Sequence, residues 1–199
     1  MLTVTGIIER YNRGERDFSN ANVAGGNLTS LNLRGAIFKG ADLSNSDFSH
    51  TDLTDADFSF AMLTRCHFVG AILKNTIFDN SDMRWAVLRN VYMDRTSFRF
   101  ANLEWAHLCR NDVTQADITN ASLSWSCLID SAITESQKDA LADTTLTSIG
   151  SVSIGKDAVY KLPESQAVSG YKTVTTQDVI SNIYTLKSAS DKKDKKEYC

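Results

Sequence analysis

The chain has 199 residues, 42% of them hydrophobic, and a formal net charge of −3 from 21 basic and 24 acidic side chains. That length and apolar content can bury a core, which excludes a chain disordered throughout. No run approaches the ~18 apolar residues of a membrane span, and the opening "MLTVTGIIER" has no basic stretch followed by an apolar one, so a cytoplasmic protein with no membrane span is expected.

Residues 1–15 predict a short capping helix, with Thr5 as its cap, Ile7, Ile8 and Tyr11 on one face and Gly14 as its stop. From Arg16 to Glu135 the sequence divides without an insertion into 24 units of five, of the kind seen in "ADLSNSDFSHTDLTDADFSFAML". The central residue of every unit, from Phe18, Val23 and Leu28 to Leu128 and Ile133, is Leu, Phe, Val, Ile or Met, and the first residue is Ala in 11 of the 24. A period of five is neither the 3.6 of a helix nor the 2 of a strand. It fits a packed axis into which each unit points one large and one small side chain.

Thr134 and Gln137 then carry the S/T-x-x-E/Q signature of a helix start, and a second capping helix is expected over residues 136–145. Residues 146–199 read as an extension: segments rich in Ser, Gly and Val around Pro163, an amphipathic helix after Thr176 with Val179, Ile180, Ile183, Tyr184 and Lys187, and the mixed-charge tail "DKKDKKEYC". Asp191, Asp194 and Glu197 offset the tail's lysines, so no nucleic-acid partner is assigned to it.

The units resemble the pentapeptide-repeat family, whose consensus is A-(D/N)-L-x-x, over about 120 of the 199 residues. The opening "IIERYNRGERDFSNANV" also looks like the entry sequence of cyanobacterial and plastid members. The resemblance implies an all-β protein: a right-handed quadrilateral parallel β-helix with four units per coil, hence six coils over residues 16–135. At ordinary strand spacing six coils stand about 29 Å tall.

Little in the sequence points to catalysis, a metal or a cofactor, and none is assigned. Cys66, Cys109, Cys127 and Cys199 contain no CxxC pair, which points to reduced thiols rather than a disulfide framework or zinc site. If residues twenty apart stack, His67 and His107 are separated by Val87 and cannot share a metal without further ligands. Asp17, Asp42, Asp47, Asp52, Asp57, Asp82, Asp112 and Asp117 occupy the consensus D/N position and read as structural rather than as acid–base pairs.

The quinolone-resistance members of the family suggest an alternative, an acidic rod that imitates DNA before DNA gyrase. Residues 16–135 hold 14 acids and 10 bases, net −4, far fewer than a duplex with one charge per about 1.7 Å of axis. The rod also reads as dipolar: acidic at Asp42, Asp47, Asp52, Asp55 and Asp57, and basic at Arg84, Arg89, Arg95, Arg99 and Arg110.

The last residues of successive coils give a sharper signal. One column runs Gly25, Asn45, Arg65, Trp85, Trp105, Trp125, which predicts a ladder of indoles about 4.8 Å apart with the Arg65 guanidinium at its lower end. Phe60 and Phe100 point outward from a neighbouring column, and Arg84, Arg89 and Arg110 flank the strip. Exposed aromatic surface of this kind marks a binding site. Its occupant is another protein or a second copy, a carbohydrate or other small ligand, or the extension itself through Tyr160, Tyr171, Ile180 and Tyr184. The expectation is a non-enzymatic scaffold or regulator, in assembly or signalling of a cyanobacterial-type cell, with Arg65, Trp85, Trp105, Trp125, Phe60, Phe100, Arg84, Arg89 and Arg110 as its protein-interaction face.

Overall fold

Almost every unit places its second residue in a β-bridge and its last two in a turn. These bridges are all parallel and join residues twenty apart, from Asp17 with Ile37 to Asp112 with Ala132. Four units therefore make one turn of a solenoid, called a coil below, and residues twenty apart stand in one column. The computed structural model describes residues 2–134, 136–137, 153–154 and 158–159.

The five-residue beat is a hydrogen-bonding rule as well as a packing rule. In one unit the Phe48 N–H donates upward to the His67 carbonyl at 2.7 Å, and the Thr51 N–H closes the turn on the Phe48 carbonyl at 3.1 Å. Backbone groups are thus paired along the stack without long strands. The central residues form one continuous core from Phe18 to Ile133; Ile118 departs from the expectation, being only partly buried against it. Phe18, Phe38, Phe58, Phe78 and Phe98 stack with ring centroids 5.1–5.4 Å apart. Polar first residues are satisfied in the same repeating way: Thr76 and Thr96 donate to the carbonyls of Leu53 and Leu73, and the Cys66 thiol does so to Leu43.

One turn breaks the rule. Asn111 takes a first position usually held by Ala or another small residue; its amide accepts from the Val91 N–H at 2.9 Å and donates to the Leu88 carbonyl at 2.6 Å. The corner at Leu88–Asn90 opens around it, and among the described residues no bridge joins Tyr92 to Asp112.

Helix α1 spans Val4–Asn12, but its N-cap is Thr3 rather than Thr5. Thr3 keeps an extended backbone and its hydroxyl accepts from the Gly6 N–H at 3.1 Å, leaving Thr5 inside the helix. Ile7 is fully buried in the core, the Tyr11 hydroxyl donates to the Arg34 carbonyl, and Gly14 turns the chain at φ 94. Gly26 lets α1 approach, since a Cβ there would stand 2.8 Å from a Val4 methyl.

At the other end Thr134 and Gln137 form the expected reciprocal box: the Thr134 N–H donates to Gln137 Oε1 at 2.8 Å, and the Gln137 N–H to Thr134 Oγ1 at 3.2 Å. Gln137 Nε2 also donates to the Val113 and Ala116 carbonyls at 2.7 and 2.9 Å. Strand β1 (Ala132–Ile133) pairs in parallel with β2 (Ser153–Ile154), which pairs antiparallel with β3 (Ala158–Val159). The rest of the expected helix at 136–145, the amphipathic helix after Thr176, the charged tail and Tyr160, Tyr171, Ile180 and Tyr184 lie outside the described residues.

Candidate interaction surface

The fifth residue of each unit, from Asn20 to Asp130 and excepting Gln115, has positive φ. This left-handed corner favours Gly and Asn, which stand at Gly25, Asn45, Asn75 and Asn80. Trp85, Trp105 and Trp125 occupy the same conformation at φ 63, 61 and 64. Each accepts a strained backbone and turns its indole outward over the edge of the solenoid.

There the three rings stack as the sequence predicts. Trp85 and Trp105 have centroids 4.9 Å apart with planes at 8°, and Trp105 and Trp125 are 5.2 Å apart at 9°. Trp85 remains 45% exposed. Arg65 stands exposed in the same column one coil below, but among the described residues no cation–π contact joins it to Trp85. The cation–π contact on this part of the surface is Lys39 over Phe60, with Nζ 5.8 Å from the ring centre.

Phe60 and Phe100 are exposed in the preceding corner column, separated by Asn80 and so not stacked on each other. Between the two aromatic edges lies one side of the solenoid, which carries Met62, Asp82 and Asn102 in successive coils. Its floor is internally paired. Arg84 Nη2 meets Asp82 Oδ2 at 2.6 Å, and this pair holds the Asp82 carboxyl below its ordinary range; the Ser122 hydroxyl donates to Glu104 at 3.0 Å.

The flanking arginines differ from one another. Arg84 is neutralised within its own unit and Arg110 pairs with Asp130 at 3.8 Å, whereas Arg89 is half-buried with its Nε enclosed and without a hydrogen-bond partner among the described residues. Pairing also softens the expected charge dipole. Arg34 reaches Asp52 and Asp55 in the acidic block, and Arg95 and Arg99 meet Asp94 and Asp117 in the basic one.

The consensus aspartates have a uniform task. Asp17, Asp42, Asp47, Asp52, Asp57, Asp82, Asp112 and Asp117 each accept from the backbone N–H two residues on, at 2.8–3.2 Å. His67, Val87 and His107 stand in one column, which keeps the two imidazoles apart, and burial lowers the pKa of His107. No group of three potential metal ligands occurs among the described residues, and no described helix is long and apolar enough to cross a membrane.

The family model for pentapeptide repeats matches residues 17–55, 51–90 and 96–131. The chain belongs to the pentapeptide-repeat family. Among solved pentapeptide-repeat proteins, Rfr23 of the cyanobacterium Cyanothece 51142 is 22% identical to it, covering 64% of this chain and 97% of that one at a TM-score of 0.48. HetL of Nostoc is 24% identical over 67% of this chain and 69% of that one, at 0.33. A thylakoid-lumen member from Arabidopsis thaliana is 19% identical over 78% and 90%, at 0.43. No curated protein matches the sequence.

Two features of this pentapeptide-repeat chain escaped the sequence reading. Met62, Ile72, Ile77 and Tyr92 are exposed because they stand at the second position of their units, where Asp or Asn is usual. An apolar residue in that slot was the available signal. The other is the meeting of Cys109 and Cys127, whose sulfurs lie 3.2 Å apart; eighteen residues look remote until the coil length is known.

Proposed function

We propose that this chain is a non-enzymatic, cytoplasmic pentapeptide-repeat scaffold or regulator that binds another protein through the side framed by Phe60 and Phe100 on one edge and Trp85, Trp105 and Trp125 on the other. The fold behind this reading is a right-handed four-sided β-helix of six coils over residues 16–135. Helix α1 caps its first coil, the Thr134–Gln137 box closes its last, and residues 146–199 follow as an extension in sequence. Parallel bridges at twenty-residue intervals support that architecture.

The observation that carries the function is the stacked indole ladder, exposed at Trp85 and Trp105. Neither core packing nor turn geometry calls for Trp at these corners, where Gly and Asn relieve the backbone at neighbouring positions. Rigid aromatic edges supply large contact area at low entropic cost, and Trp is enriched at binding hot spots. The floor between the edges is already hydrogen-bonded, so the aromatic rims and Met62 carry the affinity and the floor sets the register.

Affinity capture from the native host tests this, with the full chain beside Trp105→Asp and Trp85→Ala. Loss of the same captured protein from both variants, with unchanged melting, is expected. Undiminished capture by both variants would remove the ladder from the site.

A further inference from the structure

We propose that Cys109 and Cys127 form a reversible intrachain disulfide that staples the last coil to the coil beneath it. The fourth residue of a unit and the second residue of the unit one coil on meet repeatedly on the outside of this solenoid. Glu104 receives the Ser122 hydroxyl at 3.0 Å, Arg34 reaches Asp52 at 3.2 Å, and Arg99 meets Asp117 at 3.5 Å. Cys109 and Cys127 fill that same pair of slots, and their Sγ atoms touch at 3.2 Å.

Their backbones are fixed by the ladder. The Leu108 N–H donates to the Cys127 carbonyl at 2.8 Å and the Cys127 N–H to the Ala106 carbonyl at 2.8 Å. Reaching the about 2.05 Å of a disulfide therefore asks for side-chain rotation and little backbone movement. Cys66 makes a useful contrast. It stands in a first position inside the core, hydrogen-bonded to Leu43, and burial pushes its thiol up to about 12.

The staple falls where the stack is least supported. The phenylalanine ladder ends at Phe98, and an apolar gap lined by Leu103, Leu108, Val113, Leu123 and Leu128 lies beyond it. In a stacked array the terminal coil has a full coil on one side only, here with β2 paired to Ala132–Ile133 on the other among the described residues, so it opens before the inner coils. Both cysteines are buried, so exchange proceeds through that opening, and the finished bond is shielded once the coil closes.

With a low-molecular-weight disulfide RSSR as oxidant, one cysteine thiolate attacks RSSR and releases the first RSH. The second thiolate then attacks the mixed disulfide and releases the second. Two thiols are oxidised by two electrons, RSSR is reduced to two RSH, and both thiol protons end on the released thiols. The staple does not depend on the binding role proposed above.

The test is peptide mapping of the full chain after long incubation with oxidised glutathione, beside a dithiothreitol-reduced sample. Trypsin cuts after Arg110, so the two cysteines fall on separate peptides, 100–110 and 111–138. A linked pair two hydrogens lighter than the sum, lost on reduction, is expected. With it should come a rise in melting midpoint of about 5–10 °C in the wild type and none in Cys109→Ser. Full alkylation of both cysteines after oxidation, or linkage only through Cys66 or Cys199, overturns the proposal. A linked pair with no thermal shift overturns its role as a staple.

Discussion

The ring of Phe68 lies over that of Phe48 with centroids 5.2 Å apart and planes 5° apart, while Phe78 meets it edge-on at 5.6 Å. The pair joins two columns of the core into one aromatic body. Phe68→Ala should cost about 3–5 kcal/mol in chemical denaturation, from lost burial and the cavity left behind. Phe68→Asp should not fold, because nothing in the core pairs a carboxylate. A cooperative melt of the Asp variant at the wild-type midpoint would falsify the packing scheme.

Asp57 accepts from the Ser59 N–H at 2.8 Å and from its hydroxyl. An amide oxygen can accept in the same place, so Asp57→Asn should stay within about 0.5 kcal/mol of wild type, while Asp57→Ala should lose about 0.5–1.5 kcal/mol. Equal losses in both variants, read by urea titration, would mean that the charge rather than the acceptor matters.

Asn80 holds a corner at φ 59. Asn80→Gly should change stability by less than about 1 kcal/mol, whereas Asn80→Val, with a branched Cβ in the left-handed region, should lower it by about 1–2 kcal/mol. Differential scanning calorimetry separates the two. A Val variant as stable as the Gly one contradicts the corner geometry.

Gln137 fastens the end of the solenoid by donating to the carbonyls of Val113 and Ala116. Gln137→Leu keeps the bulk and removes the donors, leaving buried acceptors unpaired at a cost of about 1–3 kcal/mol. Hydrogen exchange should quicken in the last units first. A uniform change along the chain would argue against a local fastening.

Acid should destabilise the protein in a definite window. The pKa of Asp82 is lowered first by Arg84, and that of Asp117 first by the Thr119 side chain. Their contribution is complete above the ordinary aspartate value near 3.9 and is lost as pH falls through the lowered folded values. Both groups are partly exposed, so each effect is small and screened by salt. The melting midpoint should slip as pH falls below about 6.5, where the unfolded chain protonates His107 more readily than the fold does, and fall further below pH 4, this second drop being less steep in Asp82→Asn. An acid slope unchanged in that variant would place the titration elsewhere.

The core was legible in the sequence because one side chain per unit faces inward, so a composition rule at one position in five became a burial rule from Phe18 to Ile133. The Trp ladder was legible for the same reason, since knowing the coil length turns sequence distance into contact. What stayed hidden depends on side-chain reach. Arg65 is long enough to cover Trp85 and does not, and Arg84 turns back to Asp82. The helix start shifted from Thr5 to Thr3 because both residues can cap and the backbone conformation decides between them. Asn111 gave a visible signal, a larger amide in a small-residue position, but its insertion into the Leu88 corner follows only from the geometry there.

The pairing of each residue with the one twenty further on gives this surface a reading frame. A unit of five inserted between Trp85 and Trp105 would keep every central residue inward and leave the core chemistry intact. It would nevertheless carry Trp105 and Trp125 to the next corner and divide the ladder. Only an insertion of twenty restores the alignment, lengthening the molecule while returning each later residue to its original side. Recognition on such a solenoid therefore tolerates growth in whole coils and is erased by smaller steps, even though folding survives both.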